Sequence, residues 1–428
     1  MDSNETKKEV EKSLNKILDD LETIPKDKQH DWAYEEINKT FGKKLTEPLV
    51  EVLTAHLFDG EYEANEKKPS WFDQEKFDRG QKFAQDHIFS VLFVNIHALF
   101  MAFSFYDSLK PIIATGKSST PFTSFKRYNS TGAKFYSWYT SDPWTKGTDA
   151  YNSVRHVRRI HQYIREKMSA MSTDEWTNRT TIDPVWCPAL KATRADFDSA
   201  CPAASAEQCP YWVFENLPKL KNKKLSQGEM AITQISFVSF VILRPEELGI
   251  HGATDDELEA FCHVWRTIGY LLGIDDRYNY CRGTLEEIRS RTRDVLEFWV
   301  KPNLRIVEPG WEHMMRCLVE GLNYKKNGKG LGYEAMLVNT MECMDLEMPK
   351  IYNSMSFSDW IAYKIFKFVL GFGSKYLGLR HVLNRMVMQS IHAVQSFTDD
   401  KFEELEKRSR ETLESGATKL ETMMNSID

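Results

Sequence analysis

The sequence predicts an all-α fold, a large single helical domain with a pocket between helices. Two observations carry this. Apolar residues recur at the helical period of 3.6, most plainly at Val154, Val157, His161, Ile164 and Met168. Alternating βα units, GxGxxG loops and internal repeats are all absent. With 428 residues, 42% of them hydrophobic, the chain is long and apolar enough to bury a sizeable core.

The elements follow in order. Residues 1–60 read as short amphipathic helices punctuated by Pro25 and Pro48, an N-terminal extension. A polar turn follows at Glu63–Pro69, then a helical run over Asp73–Tyr106. Lys117–Thr123 is a Ser/Thr/Pro loop, and Phe125–Tyr139 is a helix broken by Ser141–Trp144. The next helix carries VRHVRRIHQYIREK, Val154–Lys167. Thr173–Lys224 holds five prolines, three cysteines and many charges, and reads as an insertion packed on the surface. Met230–Leu243 is apolar and rich in β-branched residues, so its periodicity does not separate strand from helix. Thr254 to Glu257 forms a capping box that opens a helix through Leu272, ended by Gly273. Helical runs continue to Gln395, so residues 61–398 form the main domain. A charged helix follows at 399–428.

Bulk properties exclude several function classes. The net charge of −6 offers no electrostatic attraction for nucleic acid, and no zinc-finger or RNP-type motif is present. Seven scattered cysteines without a CxxC argue against a zinc site or a disulfide framework, although Cys187, Cys201 and Cys209 are close enough for a local bridge. The charged start, MDSNETKKEVEKSL, has no apolar signal region. The expected location is therefore intracellular, in the cytoplasm or at the cytosolic face of a membrane. His87–Tyr106 and Trp360–Leu379 are apolar, but the first contains Asn95 and His97 and the second Lys364, Lys367 and Lys375. Both read as buried or interfacial helices, compatible with peripheral membrane contact.

Motifs narrow the chemistry further. Paired ExxH, HExxH, GxSxG and Walker-type loops are absent. Glu259 and His263 can face each other on one helix, but a single pair does not make a metal site. On the Val154–Lys167 helix, His161 lies on the apolar stripe with Arg158 and Arg165 one turn away on either side. An imidazole bracketed by guanidinium groups suits an iron-bearing, carboxylate-tailed ligand, which is haem. The alternative is a hydrogen-bonded core histidine flanked by arginines that snorkel to water. Arg127 and Thr131 are spaced i and i+4, so both can face one cavity; otherwise the threonine hydroxyl simply back-bonds to its own turn.

Five segments carry a resemblance. They are WFDQEKFDRGQKFAQDHIFSVLF (71–93), ATGKSSTPFTSFKRYNSTG (114–132), WYTSDPW (138–144), VRHVRRIHQYIREKM (154–168) and AFCHVWRTIGYLLGIDDRYN (260–279). In order and spacing they resemble the mpaB/rubber oxygenase (latex-clearing protein) family, which also contains the fungal endoplasmic-reticulum oxygenase of mycophenolic acid biosynthesis. The resemblance covers roughly residues 70–395 apart from Thr173–Lys224. It implies a haem b protein with His161 as the proximal iron ligand and Arg127 and Thr131 as catalytic residues; helical geometry alone makes Arg158 and Arg165 the expected cofactor contacts, to the propionates. The resemblance further implies an oxygenase that uses O2 as co-substrate on ferrous haem and acts on a hydrophobic alkene or isoprenoid-type lipid. Two features depart from the family pattern. Ser130 stands where rubber oxygenases have a lysine, and LKPIIATGK lacks the family's carboxylate, Asp107 being the nearest acid. A non-catalytic haem- or lipid-binding protein, a sensor or carrier, is the alternative, and a structural helical protein without haem is a third.

Overall fold

The computed structural model describes residues 4–61, 67–221, 225–324 and 330–425. Among these residues every regular element is helical, and Asp59 and Ser226 form an isolated β-bridge. The polar turn expected at Glu63–Pro69, the end of the expected insertion at Lys224 and the last residues of the tail fall wholly or partly outside them.

Three helices open the chain: α1 (Asn4–Leu21), α2 (Gln29–Phe41) and α3 (Glu47–Ala55). Pro48 sits in the first turn of α3, where no intrahelical N–H is needed. Their apolar faces, including Leu14, Ile37 and Leu53, join the same core cluster as the rest of the protein.

The run expected as one helix over Asp73–Tyr106 is instead α4 (Gln74–Asp86) and α5 (Ile88–Ala102), bent by 87° at His87. Neither proline nor glycine causes the break. One amide, Asn384, satisfies both backbone groups freed there, accepting from Phe89 N at 3.1 Å and donating to Asp86 O at 2.8 Å. Among the described residues no single helix is long and apolar enough to cross a membrane. The apolar residues of α5, such as Val91, Val94 and Phe100, are buried in the core.

Next come α6 (Tyr106–Ala114), α7 (Pro121–Thr140) and α8 (Asp149–Ser169). Thr120 and Thr123 form a reciprocal box at the start of α7, and the Thr148 hydroxyl caps α8 through Tyr151 N. Thr173–Lys224 contains α9 (Thr173–Thr180), α10 (Leu190–Ala200), a 3-10 turn at Pro210–Asn216 and α11 (Pro218–Lys221). This corrects the expectation of a surface-packed insertion: Phe197, Val213 and Leu217 have no exposed area and belong to the main core. All seven cysteines are free and buried, so no local bridge forms.

The ambiguous stretch at Met230–Leu243 lies within α12 (Gln227–Leu243), fixed as a helix by a Ser226/Glu229 capping box. It is buried on nearly every side, as expected for a helix apolar all round. α13 (Asp255–Leu272) starts at the Thr254/Glu257 box and stops at Gly273, whose φ of +105° only glycine adopts without strain. α14 (Leu285–Val295) runs through a π turn, Leu296–Val300, into α15 (Lys301–Leu304). The remainder comprises α16 (Pro309–Asn323), α17 (Tyr333–Glu342), α18 (Pro349–Ser354) and α19 (Phe357–Phe368), which passes through a π turn, Val369–Gly373, into α20 (Ser374–Tyr376). α21 (Leu379–Ala393) and α22 (Asp399–Asn425) complete the chain.

Four pairings position the interior: α13 on α4, α16 on α7, α12 on α5 and α7 on α8. The first is the closest. A Cβ at Gly80 would collide with the Ala260 carbonyl, so only glycine lets α4 and α13 approach this far. α16 is pinned by a buried ionic contact. Glu312, with no exposed area, accepts from Arg316 Nε at 2.6 Å and from Ala189 N at 2.9 Å. Arg316 also reaches Glu334 at 2.7 Å. That arrangement ties the residues before α10 to α16 and meets the requirement that a buried charge be paired.

Candidate functional site

The residues singled out in the sequence lie on α7 and α8, which pack against each other. Both helices are buried at their ends and half-open in the middle. In α7 the buried residues are Pro121 to Phe125 and Phe135 to Tyr139, with none between 126 and 134. In α8 they are Ala150, Val154 and Met168, with none between 155 and 167. A Cβ built at Gly132 meets nothing within 4 Å. The apolar stripe predicted on α8 is therefore only half covered at Val157, His161 and Ile164. These half-covered midsections form the candidate site.

His161 lies in the half-covered midsection of α8. Its imidazole is half-buried, and Nδ1 is sealed from solvent without a hydrogen-bond partner. Burial pushes its pKa down to about 4, and the nearby Arg165 and Arg127 guanidiniums push the same way. At neutral pH the ring is therefore uncharged and keeps a free lone pair. Such a buried, unsatisfied polar atom is destabilising unless something else uses it.

The arginines predicted beside it are engaged. Arg158 Nε donates to Glu61 Oε1 at 2.8 Å, and Arg165 donates to the other oxygen of the same carboxylate. Arg165 Nη1 also donates to Gly60 O at 3.1 Å. Glu61 thus occupies a two-arginine clamp one helical turn either side of His161. Its backbone neighbourhood is fixed: Gln227 N donates to Phe58 O at 3.0 Å, and Asp59 bridges to Ser226.

On α7, Arg127 extends back to the end of α6, with Nη1 3.4 Å from Thr115 Oγ1. The Thr131 hydroxyl donates to Arg127 O at 3.1 Å, the back-bond of a helical threonine, and does not touch the guanidinium. Ser130 is exposed and accepts from Lys134 Nζ at 2.5 Å. Burial, then Arg127, lowers the Lys134 pKa. Asp107, on α6, acts electrostatically on Tyr211, in the turn before α11. Glu259 pairs with Lys76 and His263 Nε2 accepts from Asp73 N at 3.1 Å, so that pair serves the α4–α13 contact.

Two participants escaped the sequence reading. Lys134 lies seven residues after Arg127, on the same face of α7, and helical spacing would have found it. Glu61 lies 97 positions before Arg158, and no local pattern reveals that pairing.

Two cations, Arg165 and Arg127, thus act on a neutral imidazole, with Arg158 one turn before it on α8 and Lys134 near Arg127. Among the described residues no group of three or more His, Cys, Asp or Glu side chains could hold a bare metal ion. A metal bound by His161 would need its other ligands from a prosthetic group, and a carboxylate-bearing macrocycle suits the surrounding cations. The residues present therefore fit haem.

No family model and no curated protein matches the chain. Among solved structures the chain is similar to the latex clearing protein in its closed state, with a TM-score of 0.47 and 14% identity over 84% of this chain and 87% of that one.

Proposed function

We propose that the chain is a haem b-binding oxidoreductase that uses O2 to oxygenate a hydrophobic, alkene-bearing lipid. The observation that carries this reading is the His161 imidazole: neutral, unpartnered at Nδ1, on a half-covered apolar face and near the Arg165 and Arg127 guanidiniums. His161 would hold the iron, and Arg158, Arg165 and Arg127 would meet the propionates. When bound, haem supplies the one-electron and O2 chemistry that no side chain here provides.

The protein's own contributions follow from the residues on α7 and α8. Burial keeps the His161 lone pair available through the physiological range. Arg127, held at Thr115, and Lys134, held at Ser130, set a positive field over the α7 side and would stabilise negative charge developing there. Thr131 fixes the turn that carries Arg127 and acts as a positioning residue. Val157 and Ile164 on α8 offer apolar contact to a lipid chain and keep water from the imidazole.

The non-catalytic alternative, a haem or lipid carrier, gains support from one observation. The stretch Leu109–Lys117, at the end of α6 and after it, carries no acid, so the chain segment next to Arg127 brings no carboxylate for acid–base work. One experiment separates the readings. The purified protein is titrated with haemin and its visible spectrum recorded. A Soret band that is lost or shifted in His161→Ala supports haem ligation, and no stoichiometric uptake overturns it. Consumption of O2 and of a farnesyl- or squalene-type alkene, lost in Arg127→Ala with haem retained, supports the oxygenase. Full haem loading without alkene turnover supports the carrier.

A further inference from the structure

Among the described residues, most of the exposed large hydrophobic side chains lie far along the chain from His161. Among the described residues fourteen large hydrophobic side chains are exposed, and ten of them fall between Phe357 and Met386. Phe357, Ile361, Ile365, Phe368, Phe372 and Tyr376 follow one another at three- and four-residue steps. They form a continuous stripe along α19, its π turn and α20. Leu377 and, on α21, Val382 and Met386 extend it. This is no frayed surface. Tyr363 and Leu370, on the opposite face, are buried, Phe366 packs on Phe93 with ring centroids 5.0 Å apart, and His251 Nε2 lies 2.8 Å from Leu370 O. A well-anchored helix thus turns an aromatic face outward.

The charges around it have one sign. Between Phe357 and Ala393 the basic residues are Lys364, Lys367, Lys375, Arg380 and Arg385, and the lone acid is Asp359. This local excess of positive charge sits in a chain whose net charge is −6. Lys364 and Lys375 are exposed, and each reaches over an aromatic ring of the same surface, Trp360 and Tyr376 respectively. Asp359 is taken up by the Ser356 cap of α19. Among the described residues Lys375, Arg380 and Arg385 pair with no carboxylate.

We propose that the face formed by α19, α20 and α21 docks on an anionic lipid bilayer, lying in the interface without crossing it. Trp, Tyr and Phe interleaved with Lys and Arg on one side of a helix match the interfacial region, where rings sit at headgroup depth and cations meet phosphates and carboxylates. A second copy of the chain is the poorer occupant. Lys367 is paired with Glu342, and a two-fold contact through this face would bring the remaining four cations, Lys364, Lys375, Arg380 and Arg385, against four others. The reading is independent of haem binding at His161.

The test is flotation of the intact protein with vesicles of phosphatidylcholine, with and without about 30% phosphatidylserine. Wild type should float with the anionic vesicles, less at high salt, and weakly with neutral ones. Ile365→Glu/Phe372→Glu should abolish flotation, and Lys375→Glu/Arg385→Glu should cut it at least ~tenfold. These side chains are largely outside the core, so both variants should keep the wild-type melting temperature and haem uptake. Failure of wild type to float overturns the proposal, as does equal flotation of all three proteins. Concentration-dependent dimerisation that both variants abolish, without vesicle binding, would assign the face to self-association and overturn it equally.

Discussion

Replacing His161 by leucine should make the protein more stable while removing its proposed ligand. Leucine fits the stripe between Val157 and Ile164 and deletes the sealed, unpartnered Nδ1. Leaving such an atom unsatisfied costs about 1–3 kcal/mol, so His161→Leu should gain roughly that much at neutral pH. Spread over 428 residues, and at ~2.1 cal/mol/K of unfolding entropy per residue, this raises Tm by about 1–3 °C. The gain should also depend on pH. The folded ring titrates near 4 because burial disfavours its charged form. The unfolded ring titrates near ~6.5. Between these values the unfolded state holds the extra proton, so wild-type stability falls as pH drops, and leucine removes that loss. A fully enclosed ring would contribute about 2 kcal/mol between pH 7.5 and pH 5, and partial exposure halves this to ~1 kcal/mol. Urea unfolding of both proteins, free of haem, at the two pH values measures the difference. A leucine variant less stable than wild type at neutral pH, or a gap that does not widen in acid, would refute the claim that this imidazole is an unsatisfied, burial-neutralised group.

Three further expectations follow from other contacts. Glu61→Gln should remove the carboxylate that Arg165 and Arg158 share and tighten haemin uptake by about 3–10-fold at low salt, read by absorbance titration; weaker uptake would mean that Glu61 helps to build the site. Glu312→Ala should remove one of Arg316's two carboxylates, leave the Ala189 N–H unsatisfied in the core and lower stability by about 1–3 kcal/mol; an unchanged chemical denaturation curve would show that these contacts do not hold α16. Gly80→Val should force α4 off the Ala260 carbonyl and destabilise by at least ~2 kcal/mol, and an unshifted melting curve would contradict the close approach.

Local signals in the sequence were strong where the backbone states its own boundaries. Thr254, Glu257 and Gly273 delimit α13 to the residue because a side chain and a left-handed glycine satisfy its end groups. The same kind of signal, Ser226 with Glu229, was present before Met230 and would have settled that stretch as a helix. The bend at His87 was not legible, since the amide that stabilises it comes from Asn384, nearly 300 residues away. The stretch from Thr173 looked like a surface insertion because its apolar residues are diluted by prolines and charges. Burial of Phe197 and Val213 depends on what they meet in space and not on local pattern. The candidate site divides in the same way. Helical spacing placed Arg158, His161 and Arg165 together, whereas their engagement by Glu61 is a long-range fact.

The manner in which Glu61 is held has a kinetic consequence. The chain around it is tied at Phe58 and Asp59 to the start of α12, so the backbone is already in place whether or not the carboxylate grips the arginines. Swinging that carboxylate aside takes only rotation about side-chain bonds, a motion of picoseconds to nanoseconds for a partly exposed group. An incoming anion would therefore meet an internal rival that yields quickly. Its arrival should follow diffusion and ionic strength, and the rival would be felt in how long the anion stays.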